Sequence, residues 1–288
     1  MQENLGSFKI GIVQMITGEN KEANLARAKD HIKAAAAKGA DIIVLPEMFN
    51  CPYDKEFFRQ FSEVFDSSEA ASRPSYEMLK QAAKDTGKWI IGGSVPEKDS
   101  ADKVYNTSVV FNRQGEEVCR HRKVHLFDID VPGQYYKESE TLSPGNKATV
   151  FQTEYCKIGL AICYDIRFPE LSLLMRDQGA EVLIFPASFN TTTGPIHFEL
   201  LGKARALDTQ SYVVLAAPAR DLAKKTGYQT WGHSAVINPN GLTIAQAELI
   251  EKILVIDIDL QDVKNQRTSF PFNKQRRNDL YEVVSKNA

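Results

Sequence analysis

Apolar runs of strand length alternate with segments of helical period along most of the chain. "FKIGIVQM" (8–15) opens as a strand, and residues 20–38 carry Leu25, Ala28, Ile32 and Ala35 at helical spacing before Gly39 stops the helix. "ADIIVLPE" (40–47) follows as a continuous apolar strand, the pattern of a strand buried on both faces. A helix is predicted over 75–86, then strands over 89–97 and 104–112, with "NRQGEE" turning a hairpin into "VCRHRKVHLF" (118–127). From Lys157 a strand runs to Cys163. A helix starts at Pro169, with Leu171, Leu174 and Met175 on one face and Gly179 just past its end. "AEVLIFPA" (180–187), a helix over 195–208, "SYVVLAAPA" (211–219), a strand pair around "NPNG" (238–241) and "KILVIDIDL" (252–260) complete an α/β alternation.

"GADIIVLPE" (39–47) and "GAEVLIFPA" (179–187) share Gly-Ala, an acid, four large apolar residues and a proline, each after a helix. The echo suggests two similar α/β halves. They differ after the proline, where one half has Glu47 and the other Ala187.

Composition adds limits. The 288 residues suffice for one large domain or two small ones, and no linker rich in Pro, Gly or Ser divides them, so a single domain over 1–288 is expected. A net charge of −2 with no long single-sign block gives no grip on nucleic acid or anionic lipid. No apolar stretch nears the roughly 18 residues that cross a bilayer, and "MQENLGSFKI" lacks the apolar centre of a signal peptide. Cys51, Cys119, Cys156 and Cys163 form no C-x-x-C pair. Neither a disulfide scaffold nor a zinc ribbon is suggested, and a cytoplasmic setting is expected.

In open α/β sheets ligands gather beyond the carboxyl ends of strands. Two predicted strands end on reactive groups, Glu47 and Cys163. A lone cysteine at a strand end is more often buried and inert than reactive. Cys163, however, precedes a helix whose positive end would lower its thiol pKa, and the Tyr164 N–H next to it is placed to donate to an oxyanion. Of the five histidines, His31, His121, His125, His197 and His233, none falls in a signature that pairs it with Cys163. His121 and His125 would sit roughly 13 Å apart in a strand, too far to share a metal. No metal and no cofactor are expected. "IGGS" is no phosphate loop.

"LPE" (45–47), "HRKVHLFD" (121–128) and "CYDIRFPEL" (163–171) together resemble the three signature blocks of the nitrilase superfamily, in the same order. The resemblance runs from about Phe8 to Tyr281. It implies Glu47 as general base, Lys123 as oxyanion stabiliser and Cys163 as nucleophile, with Glu138 at the position of the superfamily's second active-site glutamate. "FNTTTGP" (189–195), "HLFDIDVPG" (125–133), "ESETLSPG" (138–145) and "KQRRNDLY" (274–281) resemble the ω-amidase branch, although "VPGQYYKESET" (131–141) is about one residue shorter than that branch's loop. Tyr164 stands where nitrilases proper usually carry tryptophan.

The resemblance implies an α/β fold, a four-layer α-β-β-α sandwich of two mixed sheets with helices outside. Such proteins pair as homodimers or larger assemblies. The core would span about 8–260, with the C-terminal extension over about 261–288 in oligomer contacts. The implied reaction is hydrolysis of a short dicarboxylic monoamide such as 2-oxoglutaramate or 2-oxosuccinamate through a thioester on Cys163. Arg167 would hold the free carboxylate, or else pair internally with Glu170 or Asp165, and Phe189 and Thr193 would line the pocket. Two rivals keep the same trio: an amidase of deaminated glutathione and an N-carbamoyl hydrolase. A third is a non-catalytic metabolite-binding or scaffold protein.

Overall fold

The computed structural model describes residues 6–131, 134–223 and 227–286. β1 (Ser7–Gln14) leads to α1 (Lys21–Ala37), which starts where the Asn20 side chain accepts the Ala23 amide. Ala28, Ile32 and Ala35 recur at helical spacing and are buried, so one stripe of α1 faces a sheet. After β2 (Ile42–Val44) come the short α2 (Lys55–Phe58), α3 (Pro74–Thr86), β3 (Trp89–Ile91), β4 (Val95–Lys98), β5 (Val104–Phe111) and β6 (Glu117–Arg122). A hairpin of β7 (Asp128–Val131) and β8 (Gln134–Lys137) precedes β9 (Thr149–Gln152) and β10 (Lys157–Leu160). The second half continues with α4 (Pro169–Asp177), β11 (Val182–Pro186), α5 (Glu199–Thr209), β12 (Tyr212–Ala216), β13 (Ala235–Ile237) and β14 (Thr243–Gln246). β15 (Lys252–Asp259), α6 (Leu260–Ser269) and the short α7 (Phe272–Gln275) close the chain.

Among the described residues the strands form a seven-stranded sheet in the order β15-β1-β2-β3-β5-β4, with β6 also on β5, a six-stranded sheet β14-β13-β12-β11-β10-β9, and the β7–β8 hairpin. The sequence echo marks the same place in each half. β1 pairs parallel with β2 (Ile10 opposite Ile42) as β10 pairs with β11 (Ile158 opposite Val182). Gly39 (φ +89°) and Gly179 (φ +101°) make the same turn out of the preceding helix in a region that disfavours a Cβ.

Side-chain alternation sorts the residues into layers. Ile10, Ile12, Ile42 and Val44 of the first sheet pack with Ile158, Leu160, Val182, Ile184 and Val214 of the second. The opposite face of the first sheet (Ile43, Ile90) holds Ala28, Ile32, Leu79 and Ala83 of α1 and α3, and that of the second (Leu183, Val213) holds Met175 and Ala206 of α4 and α5. The result is the four-layer α-β-β-α sandwich with two mixed sheets.

Several boundaries differ from the sequence expectation. The stretch 89–97 is two strands, interrupted at Gly92–Ser94, and both lie along one edge of β5. The strand expected over 118–127 ends at Arg122, the one expected to reach Cys163 ends at Leu160, and residues 194–198 form a π turn ahead of α5.

Candidate active site

Glu47 is presented by a local backbone device. The ladder between β2 and β3 runs one residue further, with Leu45 N–H on the Ile91 carbonyl at 3.0 Å, and Pro46 then offers no donor. Gly93 takes φ +53°, and a Cβ there would fall 2.1 Å from the Pro46 carbonyl oxygen, so only glycine permits this approach. Ser94 fixes the turn, its hydroxyl accepting Met48 N–H at 3.0 Å and its carbonyl accepting Phe49 N–H at 3.1 Å. Met48 sits at φ +54°. Glu47 is thereby turned inward and fully buried, with Oε1 accepting from Asn106 Nδ2 (2.8 Å) and Lys123 Nζ (3.1 Å) and Oε2 from Ser188 N–H (2.6 Å).

Lys123 stands one residue beyond β6. Its N–H reaches the Asn106 carbonyl and its carbonyl accepts Gly145 N–H, both at 2.8 Å, which locks the backbone as the side chain dives inward. Its ammonium lies 3.1 Å from Glu47, 2.9 Å from Glu138 and 3.5 Å from the Tyr53 hydroxyl. Glu138 follows β8, is fully buried, and also accepts from Tyr53 OH at 2.5 Å and Phe127 N–H at 2.7 Å. The structure thus brings together the Glu47, Lys123 and Glu138 side chains named from sequence.

Cys163 opens a 3-10 turn (Cys163–Arg167) and adopts φ +47°, a strained value for a residue with a Cβ. Asp165 holds that turn. This fully buried carboxylate accepts from Ile162 N–H (3.0 Å), His121 Nε2 (3.1 Å), His125 Nδ1 (2.8 Å), His125 N–H (2.8 Å) and Val124 N–H (3.2 Å). One carboxylate therefore ties the turn that carries Cys163 to the segment that carries Lys123. Burial disfavours its charge, yet these donors outweigh that cost and hold its pKa well below the ordinary aspartate value. The strand expected to hold His121 and His125 far apart ends at Arg122, and the two rings instead converge on the one carboxylate of Asp165.

The expected activation of the thiol is overturned. Burial first, and then the charges of Glu47 and Glu138, push the Cys163 pKa well above that of a free thiol. α4 begins at Pro169, as the sequence predicts, with the 3-10 turn Cys163–Arg167 between it and the thiol. The resting group is a thiol, and the nearby charge of Glu47 opposes its ionisation. Burial also raises Glu47, against the pull of Lys123 and with the repulsion of Glu138. For Lys123, burial opposes the ammonium, but Glu138 and Glu47 outweigh it and hold the pKa well above the usual lysine value. A buried base, a buried cation and a neutral nucleophile suit acyl transfer with explicit proton transfer.

Beside Cys163 a small, narrow cleft is walled by Phe127, Tyr164, Arg167, Ser188, Phe189, Thr193 and Tyr228. The sequence-named Tyr164, Arg167, Phe189 and Thr193 all reach it. Tyr164 is second in the 3-10 turn, where amides lack intrahelical acceptors. Thr193 Oγ1 donates to Asn190 Oδ1 at 3.0 Å. Among the described residues Arg167 makes no ion pair with Asp165 or Glu170. Its guanidinium lies between the rings of Tyr164 (5.5 Å) and Phe189 (5.3 Å). Pro132 and Gly133, in the short loop before Glu138, lie outside the described residues.

Sequence reading missed Tyr53, Asn106, Ser188 and Tyr228, and saw Asp165 only as a salt-bridge partner. An asparagine within the apolar strand "VYNTSVVF" is a usable signal for Asn106, because a buried amide needs partners. Tyr228 donates its hydroxyl to the Ser188 carbonyl, a contact no local pattern encodes.

The profile of the carbon-nitrogen hydrolase family matches residues 9–268. The ω-amidase NIT2 of Xenopus tropicalis is 48% identical over 283 residues, covering 98% of this chain and 99% of its own. That of Danio rerio is 46% identical over 282 residues, with the same coverage. Among solved structures, Saccharomyces cerevisiae Nit3, a member of branch 10 of the nitrilase superfamily, superposes with a TM-score of 0.86 at 42% identity, over 94% of this chain and 97% of that one. The Caenorhabditis elegans NitFhit protein gives 0.85 at 33% identity, over 96% of this chain and 67% of that one.

Proposed function

The protein belongs to the carbon-nitrogen hydrolase family, and from that premise we propose that it is an ω-amidase releasing ammonia from short dicarboxylic monoamides such as 2-oxoglutaramate and 2-oxosuccinamate. The observation that carries this is one cleft lined by Cys163, beside Lys123 clamped between Glu47 and Glu138, with Arg167 in its wall and, among the described residues, in no ion pair. Glu47 takes the thiol proton as Sγ attacks the amide carbonyl, since no resting thiolate is available. Lys123 and the Tyr164 N–H stabilise the oxyanion. The tetrahedral adduct collapses to a thioester as the C–N bond breaks, and Glu47 returns its proton to the leaving ammonia. Water deprotonated by Glu47 then hydrolyses the thioester and frees the acid and the thiol. Glu138 holds Lys123 in place throughout.

Ammonia offers little to recognise, so selectivity falls to the far end of the substrate. Arg167 meets the free carboxylate there with a planar fork, while Phe189 and Thr193 shape the pocket. The wild type should release ammonia from 2-oxoglutaramate faster than from deaminated glutathione or a carbamoyl β-amino acid, with an acyl adduct on Cys163 visible by mass spectrometry. Arg167→Met should raise KM for 2-oxoglutaramate by about 100-fold, as expected for loss of a charge-assisted pair. Preference for either competing amide would replace the substrate assignment, and absence of any adduct would remove the mechanism. Assembly through the helical layer is supported by the exposed Ile196, Leu200 and Leu207 beside and along α5, and a cytoplasmic setting by the four free cysteines.

A further inference from the structure

His197 is a histidine for which neither the sequence nor the reaction found a use. It lies in the π turn Gly194–Phe198, where its N–H bonds the Thr193 carbonyl at 2.9 Å. π turns insert an extra residue into a helical turn and re-aim side chains, often at functional sites. The loop is seated from below by Trp231, since a Cβ on Gly194 would lie 2.4 Å from that ring. From this fixed base His197 Nδ1 meets Arg167 Nη2 at 3.3 Å.

A guanidinium only donates, so in this contact Nδ1 is the acceptor, a role open to the imidazole tautomer that carries its proton on Nε2. The flanking rings of Tyr164 and Phe189 attract the cation but leave the direction of its fork undetermined. Arg167 Nε is buried with no partner, and no carboxylate among the described residues neutralises the group. A carboxylate in place of His197 would orient the fork and also cancel its charge. A neutral imidazole orients it and leaves the charge for an incoming anion.

We propose that His197 is the positioning residue that aims Arg167 at the distal carboxylate of the substrate while leaving its positive charge unspent. This rests on the ω-amidase reading and on Arg167 as its carboxylate anchor. The test is steady-state kinetics on the full chain with 2-oxoglutaramate and with butanamide, which lacks the carboxylate, for wild type, His197→Ala, His197→Asn and Arg167→Met. Asparagine places Oδ1 as many bonds from Cα as histidine places Nδ1, so it restores the acceptor.

In His197→Ala, KM for 2-oxoglutaramate should rise about tenfold with kcat within about threefold, and the kcat/KM ratio of 2-oxoglutaramate to butanamide should fall about tenfold. His197→Asn should recover most of that loss. An unchanged KM in His197→Ala, an equal loss on both amides, or an asparagine variant as poor as alanine would overturn the proposal. Arg167→Met separates the two levels. If it keeps the preference for 2-oxoglutaramate, the anchor and everything resting on it fail. If it loses the preference while His197→Ala keeps it, only the role of His197 fails.

Discussion

In the proposed mechanism Glu47 must be a carboxylate to take the Cys163 proton, yet burial and the charge of Glu138 both favour its acid form. This sets the sign of the pH dependence. Below its raised pKa the group is neutral and cannot act as a base, so kcat/KM should climb with pH through a midpoint above 4.5, the ordinary value for this side chain. Lys123 and Cys163 are both held above their ordinary values, so no loss on the alkaline side is expected near neutrality. Glu138→Gln removes one charge that raises Glu47, and the midpoint should move down. A pH series of kcat/KM on both proteins measures this, and an unmoved midpoint would mean that Glu138 does not act on Glu47 through its charge. Glu47, Lys123 and Cys163 were legible as residues because each sits in a distinctive local word. Their protonation was not. It depends on burial and on neighbours far along the chain, which turned a thiol expected to be acidic into a weakly acidic one.

At the scale of elements, the site is built where regular structure stops: one residue past β6, in the interruption between β3 and β4, and in the turn between β10 and α4. Asp165 joins two of these breaks. Asp165→Ala would leave His121, which is fully buried, and the amides of Ile162, Val124 and His125 without their acceptor. Loss of about 3–5 kcal/mol is expected from removing one side of such a buried charged network. The strained φ of Cys163 would also lose its brace, so kcat should fall with stability. Urea denaturation beside turnover assays reads both, and a stable variant with normal kcat would show that the two segments do not need this tie. Helical and strand periods predicted the elements themselves, but not these breaks. Short interruptions such as Gly92–Ser94 carry no period, and their shape is set by what packs on them.

For the whole molecule, the layer between the sheets is one apolar contact surface contributed by both halves. Ile12 and Ile184, one from each sheet and both fully buried, should each cost about 2–5 kcal/mol when replaced by alanine. Each variant should unfold in a single transition, as expected if the two halves share one core. Two separate transitions in calorimetry would instead mean that the halves fold independently. The sequence by itself determined the alternation of strands and helices and the twofold echo between residues 39–47 and 179–187, and through the resemblance of three short blocks it pointed to Glu47, Lys123 and Cys163. The alternation and the echo are properties of periodicity, which a linear chain displays directly. The tertiary structure alone decided that Ser188, 141 positions from Glu47, would bond its carboxylate, that Asp165 would gather two histidines and three amides, and that His197 would face Arg167. Burial and hydrogen-bond partnership arise only when distant segments meet, and they set which groups are charged and where they point.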